Sequence, residues 1–187
     1  MKKFMALLLV AGMTLSLTAC GGSTDTAKTD QADGKDTFTV GFDQDFPPFG
    51  YVGDDGEFTG FDIEMATECA ARMGKKIVLQ PIDWDAKDME LEAGTIDCIW
   101  NGFTMNGRED QYTWTDPYMD NSQVVVVKKD SGINTLADLA GKVVEVQKES
   151  AAETALNDEE HADLTASFAQ HLSVGEYNTA FMDLESG

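Results

Sequence analysis

The chain has 187 residues, 42% of them hydrophobic, and 34 Asp and Glu stand against 13 Lys and Arg for a formal net charge of −21. That acidic excess excludes a nucleic-acid partner, because holding a phosphate backbone needs a basic surface. Three cysteines are too few for a disulfide scaffold and are spaced too widely for a zinc knuckle.

In chain order, Lys2 and Lys3 precede an apolar run from Phe4 to Leu17. The run is shorter than the roughly 20 residues of a membrane-spanning helix and reads as an export signal. It closes on Leu17-Thr18-Ala19-Cys20 before Gly21-Gly22-Ser23, an arrangement that resembles a bacterial lipobox, in which Cys20 is cut free, lipidated and becomes the first mature residue. An ordinary small-residue cleavage site with an incidental cysteine is the alternative. Losing residues 1–20 removes Lys2 and Lys3 and no acid, so −21 becomes −23. Residues 21–36 hold almost nothing apolar beyond alanine, cannot build a core, and are expected to be a flexible tether. Cys69 and Cys98 are read as buried free thiols, with one disulfide between them as the alternative.

Strand and helix signals then alternate. Thr37 to Phe42 predicts a strand, and Thr59-Gly60-Phe61-Asp62 opens a helix with Phe61, Met65, Cys69 and Met73 along one face, stopped by Gly74. Lys76 to Gln80 predicts a strand, Asp85 to Ala93 a helix stopped by Gly94, and Ile96 to Trp100 a third strand. Gly53-Asp54-Asp55-Gly56-Glu57 lacks the alternating ligands of an EF-hand and reads as a hairpin turn between Tyr51 and Phe58. This β-α-β-α-β order calls for a parallel sheet with helices on its faces, and ligands sit at the carboxyl ends of such strands.

At those ends the residue types become specific. The first strand runs into Asp43-Gln44-Asp45-Phe46-Pro47-Pro48-Phe49, where two prolines stiffen the loop and present Phe46. The third runs into Asn101-Gly102-Phe103-Thr104 and then Arg108. Small residues admit a ligand to the backbone, Thr104 offers a hydroxyl, and Arg108 offers a planar fork matched to a carboxylate; a solvent-exposed arginine beside Glu109 and Asp110 is the alternative from this stretch alone.

Together VGFDQDFPPFGY, EFTGFDIEMA, LEAGTIDCIWNGFTMNGRED, YTWTDPYMDNSQVVVV and LAGKVVEVQKES resemble the polar amino-acid-binding proteins of bacterial ABC importers, extracellular solute-binding protein family three, over about residues 38–187. The resemblance implies an α/β, two-lobed, type II periplasmic-binding-protein fold that closes on one free L-amino acid and hands it to an ABC permease. It implies that Phe46 and Phe61 sandwich the ligand, that Asn101, Gly102 and Thr104 bind it, that Arg108 holds its α-carboxylate, and that Asp43 lies near its side chain. One departure is that Thr104 to Arg108 spans four positions where the family usually has five.

Ser122 to Val127 predicts an apolar strand crossing into the second lobe, where Val143 to Val146 forms a strand and Gln147-Lys148-Glu149-Ser150 turns into a helix capped by Ser150. That helix start suits an anion, and Ser150 keeps the hydroxyl of the family's Gly-Thr pair, while Glu149 either tunes specificity or points to solvent. Met89-Glu90-Leu91-Glu92-Ala93-Gly94 is echoed by Met182-Asp183-Leu184-Glu185-Ser186-Gly187. The family continues past this echo with a strand and the aspartate that grips the ligand's α-amino group, so a C-terminally truncated second lobe is expected. The expected organisation is a signal peptide over 1–20, a tether over 21–36, lobe one over 37–122, and a crossover strand with a partial lobe two over 123–187. The expected product is an extracytoplasmic protein held to the membrane only through its lipid, with no cofactor and no metal. Its ligand leans towards a neutral polar or basic amino acid. Two rivals are a non-binding remnant and a dehydratase acting on cyclohexadienyl acids, for which the sequence offers only His161 and His171 and no nucleophile motif.

Overall fold

A computed structural model describes residues 36–187; the export signal, Cys20 and tether residues 21–35 lie outside the described residues. Thr37–Phe42 (β1) forms as expected, with Val40 and Phe42 fully buried. On its other face Gly41 lies against Ile96, where an added Cβ would meet Ile96 Cδ1 at 2.5 Å. Burial on both faces marks β1 as an inner strand of a parallel sheet. A small antiparallel ribbon follows, made of Asp45–Phe46 (β2), Gly50–Val52 (β3) and Phe58–Thr59 (β4), in the order β2-β3-β4. Its expected hairpin turn is closed by the Gly53 amide donating to the Glu57 carbonyl at 2.8 Å.

The first helix, Phe61–Arg72 (α1), starts where the sequence predicts, but a different stripe meets the core. Asp62, Ile63, Ala66 and Ala70 are buried, whereas Phe61 and Met73 are exposed and Met65 and Cys69 half-buried. Alanines at 66 and 70 let the helix axis lie close to the sheet, which longer side chains on that stripe would hold away. The start of α1 is fixed by the proline loop: the amides of Phe61 and Asp62 donate to the carbonyls of Pro48 and Phe49, both at 3.0 Å. These two bonds satisfy donors that a helix leaves open at its start. Gly60 makes the approach possible, since its φ is 125° and a Cβ there would sit 2.3 Å from the Phe49 carbonyl oxygen.

Lys76–Pro81 (β5) pairs in parallel with β1, Thr37 opposite Lys76 through Phe42 opposite Pro81. The predicted helix from Asp85 begins as a 3₁₀ turn over Trp84–Ala86 and becomes Lys87–Ala93 (α2), stopped by Gly94 at a left-handed φ of 70°. The predicted strand 96–100 contracts to Cys98–Ile99 (β6), flanked by ladder bonds from the Asp97 and Trp100 amides to the Thr39 and Gly41 carbonyls. The sheet order is therefore β5-β1-β6, with β1 in the centre.

Farther along, Val143–Gln147 (β7), Ala151–Asn157 (α3), Ala162–Ser167 (α4), Gln170–Val174 (β8) and Tyr177–Ser186 (α5) form a second α/β assembly in which β7 and β8 are parallel. Ser150 caps α3 as expected, its Oγ accepting the Glu153 amide at 3.1 Å. The strand predicted over Ser122–Val127 does not form: the segment has no ladder partner among the described residues, and Val124, Val125 and Val126 are 76%, 47% and 53% exposed. A strand needs a neighbour to take its amides and carbonyls, and β-branched composition alone does not supply one. Among the described residues no helix is long and apolar enough to cross a membrane.

Candidate functional site

Because β1 and β6 are adjacent and parallel, the segments that leave them meet. The Asp43 amide donates to Asn101 Oδ1 at 2.9 Å, which stitches the first strand's exit to the third's. Asp43 Oδ1 accepts the Asp45 amide at 2.8 Å, and its Oδ2 accepts Gln147 Nε2 from the end of β7 at 2.7 Å. The same Gln147 nitrogen also donates to the Gly175 carbonyl at 3.0 Å, so this residue joins the two assemblies at a buried point. Among the described residues three further bonds cross the gap: Lys148 Nζ to Asp85 at 2.5 Å, Asn178 Nδ2 to Asp45 Oδ1 at 3.2 Å, and Arg108 Nη2 to the Glu149 carbonyl at 3.1 Å. Glu149 presents that carbonyl from a left-handed φ of 58°, a conformation that costs a non-glycine residue on the order of 1 kcal/mol. Its side chain is exposed.

Between the assemblies lies a cleft of about 2180 Å³ whose walls include Phe46, Asn101, Gly102, Thr104, Arg108 and Ser150. Six of the eight residues singled out in the sequence thus share one surface. Asp43 lines a neighbouring cavity of about 550 Å³ and is joined to the cleft wall by its bonds to Asn101, Asp45 and Gln147. Phe61 lines neither; its ring packs on Phe49 at 6.4 Å and on Tyr118 at 6.2 Å. Phe49 also stacks on Phe46 at 5.3 Å, so a third aromatic ring links the two that the resemblance pairs. The prolines leave Phe46 half-buried, facing Tyr177 at 6.0 Å.

Several polar groups escaped the reading of the sequence. Asp62, on the buried stripe of α1, accepts the Tyr118 hydroxyl at 2.8 Å, and that hydroxyl accepts the Gly102 amide at 3.0 Å. Burial raises the Asp62 carboxyl above 3.8, partly offset by bonds from Tyr118 and Gly102, and burial likewise raises Asp43 against bonds from Asp45 and Gln147. Lys87 is only 2% exposed and has no hydrogen-bond acceptor among the described residues; its ammonium lies 5.4 Å from the centre of the Trp84 ring, and burial lowers its pKa. A lysine in an acidic helix reads as solvated, and only the packing of Trp84 beneath it shows otherwise. Thr104 Oγ1 accepts Asn121 Nδ2 at 2.5 Å. Cys69 and Cys98 are unpaired and half-buried rather than buried, and the Cys98 thiol is pushed up to about 12, chiefly by burial.

The two buried aspartates predict a pH dependence. A carboxyl whose native pKa is raised favours the folded state when protonated, so its contribution is fully present below 3.8 and is lost as pH rises through the native value. Asp85, lowered mainly by its bond from Lys148, acts in the opposite sense and only below 3.8. In urea titrations, Asp62→Asn is expected to gain on the wild type at neutral pH, with the difference shrinking as pH falls towards 3.8. A difference that stays constant over that range would show that Asp62 titrates normally.

Residues 38–180 match the family described as bacterial extracellular solute-binding proteins, family 3. Relatives include the arginine-binding extracellular protein ArtP of Bacillus subtilis, 36% identical over 79% of this chain and 56% of its own length. The L-cystine-binding protein TcyJ of Escherichia coli is 35% identical over 76% of this chain and 53% of its own. Among solved structures, an ABC uptake transporter substrate-binding protein from Streptococcus pneumoniae with bound histidine superposes with a TM-score of 0.74 at 36% identity, covering 81% of this chain and 62% of that one. The chain spans about half the length of the curated relatives it matches. Its described part is a portion of the type II periplasmic-binding-protein fold. With a match over residues 38–180 and relatives that are solute-binding proteins, the chain belongs to the bacterial extracellular solute-binding proteins, family 3.

Proposed function

We propose that this protein is the extracytoplasmic amino-acid-binding component of an ABC importer, anchored through a lipid on Cys20, and that it is a binder rather than an enzyme. The single observation that supports this best is the convergence of Asn101, Gly102, Thr104, Arg108 and Ser150 on one cleft between two α/β assemblies. In this reading residues 37–122 form lobe one and 123–187 a crossover with part of lobe two. Arg108 takes the α-carboxylate: its guanidinium already binds a carbonyl oxygen across the cleft, and a carboxylate offers two oxygens of full charge to the same fork. The Thr104 hydroxyl and the Asn101–Gly102 backbone complete the polar contacts. Phe46 supplies an apolar wall, with Phe61 supporting it through Phe49. The buried Asp43 and its Gln147 partner favour a polar side chain at the far end.

ArtP and TcyJ are named for binding arginine and cystine, and the pneumococcal protein's structure has bound histidine, which fits a polar amino acid as cargo. Isothermal titration of the chain with each of the twenty common L-amino acids and L-cystine tests the proposal. Saturable one-to-one binding to one or a few polar amino acids is expected. Heat signals indistinguishable from dilution for every one of them would overturn it.

A further inference from the structure

Arg108 stands on a set of aromatic rings that no motif announces. Phe103 is at its centre: its ring lies 5.2 Å from Trp84, 5.1 Å from Tyr112 and 5.0 Å from Trp114, and Tyr112 and Trp114 are themselves 5.2 Å apart. The Arg108 guanidinium carbon sits 5.1 Å from the centre of the Phe103 ring. The backbone of Arg108 is held from the same side, for its carbonyl accepts both the Trp114 indole N–H and the Gln111 amide at 3.0 Å, while its own amide donates to Met105 at 2.9 Å. Tyr112 is tied in turn to α2 through a hydrogen bond from its hydroxyl to Asp88. The loop that carries Arg108 has no regular structure of its own, so these contacts replace a helix or strand as its support.

We propose that Phe103 and Trp114 are positioning residues for Arg108, which hold its guanidinium facing the cleft so that it meets an α-carboxylate without first being ordered. The proposal rests on the amino-acid-binding reading of the cleft. An arginine free in solution carries large rotamer entropy, and fixing it on binding would subtract from affinity. A guanidinium seated on an aromatic face has part of that loss already settled in the ligand-free protein, by a cation–π contact that leaves its N–H edge free. The indole bond does the same for the backbone beneath it.

The discriminating test uses two probes: the amino acid that binds wild type most tightly in the titration series, and its primary α-carboxamide, which lacks the anion. Trp114→Phe keeps a ring but removes the donor to Arg108, and Phe103→Leu keeps bulk but removes the face. Each is expected to weaken the amino acid about tenfold and leave the carboxamide unchanged. In an Arg108→Ala background neither is expected to weaken the amino acid further. Circular dichroism spectra matching wild type identify the variants that qualify, and Phe103→Met and Trp114→Tyr stand in for either one that does not. Equal losses for both probes, or losses that persist without Arg108, would show a merely structural collar and overturn the inference while leaving the amino-acid reading intact. Failure of wild type to bind any amino acid would overturn both.

Discussion

Arg108→Ala is expected to weaken amino-acid binding by about tenfold to a hundredfold while the protein stays folded. A hydrogen bond to a charged group contributes about 1.5–3 kcal/mol, and each 1.4 kcal/mol is a factor of ten in affinity. Arg108 is half-buried at the rim of an open cleft, so its contact with a carboxylate stays partly screened and the larger losses seen for fully desolvated ion pairs do not apply. Its structural share is small: among the described residues, its side chain gives the fold one bond to the Glu149 carbonyl and the seat on Phe103. Arg108→Lys should fall between wild type and alanine, because an ammonium restores the charge without the two-pronged geometry. Titration calorimetry on wild type and both variants, with thermal melts alongside, measures the effect. Equal dissociation constants for wild type and Arg108→Ala would remove the carboxylate clamp from the proposed mechanism.

Phe42→Ala should be the most damaging of the single core truncations. Phe42 is fully buried at the end of β1 and meets Phe58 edge-to-face at 5.1 Å. It also fills the space beside Gly50, where a Cβ would touch its ring at 2.9 Å. Truncating a buried phenylalanine costs about 3–5 kcal/mol, a large share of the roughly 5–15 kcal/mol that keeps a domain folded. At about 2–4 °C per kcal/mol for a chain of this size, the melting temperature should drop by roughly 6–20 °C. The carbonyl of Phe42 also receives the Ile82 amide at 3.0 Å, and the next residue is Asp43, so loosening here reaches the cleft. Thermal unfolding followed by circular dichroism checks this, and a drop below about 2 °C would mean that the core does not close over this ring.

The first sheet was legible because its signals are local. Alternating and branched apolar residues specify β1 and β5, Gly74 and Gly94 stop helices within two residues of where α1 and α2 end, and Ser150 announces α3 through its own side chain. Ser122–Val127 shows the limit of that reading. Its composition favours a strand as strongly as that of β5, yet pairing is a property of two segments, and the described residues supply no second one. The stripe of α1 failed for a related reason: spacing identifies faces, but which face is buried depends on how closely the helix sits on its sheet, and alanines won over the longer Met65 and Cys69.

The site divides along the same line. The order of residues alone sets which chemical groups are available: a guanidinium, a threonine hydroxyl and small backbone positions after one strand, and an aromatic ring after another. Spacing of strands and helices into a parallel sheet was enough to bring those loops together, because adjacent parallel strands must end side by side. It takes packing in three dimensions to tie Asp43 to Gln147 across 104 positions of chain, to set Asp62 and Tyr118 at the Gly102 amide, to place Phe49 between Phe46 and Phe61, and to bury Lys87 against Trp84. Each of these depends on which groups are excluded from water, and burial is fixed by the packing of distant elements, which no stretch of neighbouring residues encodes.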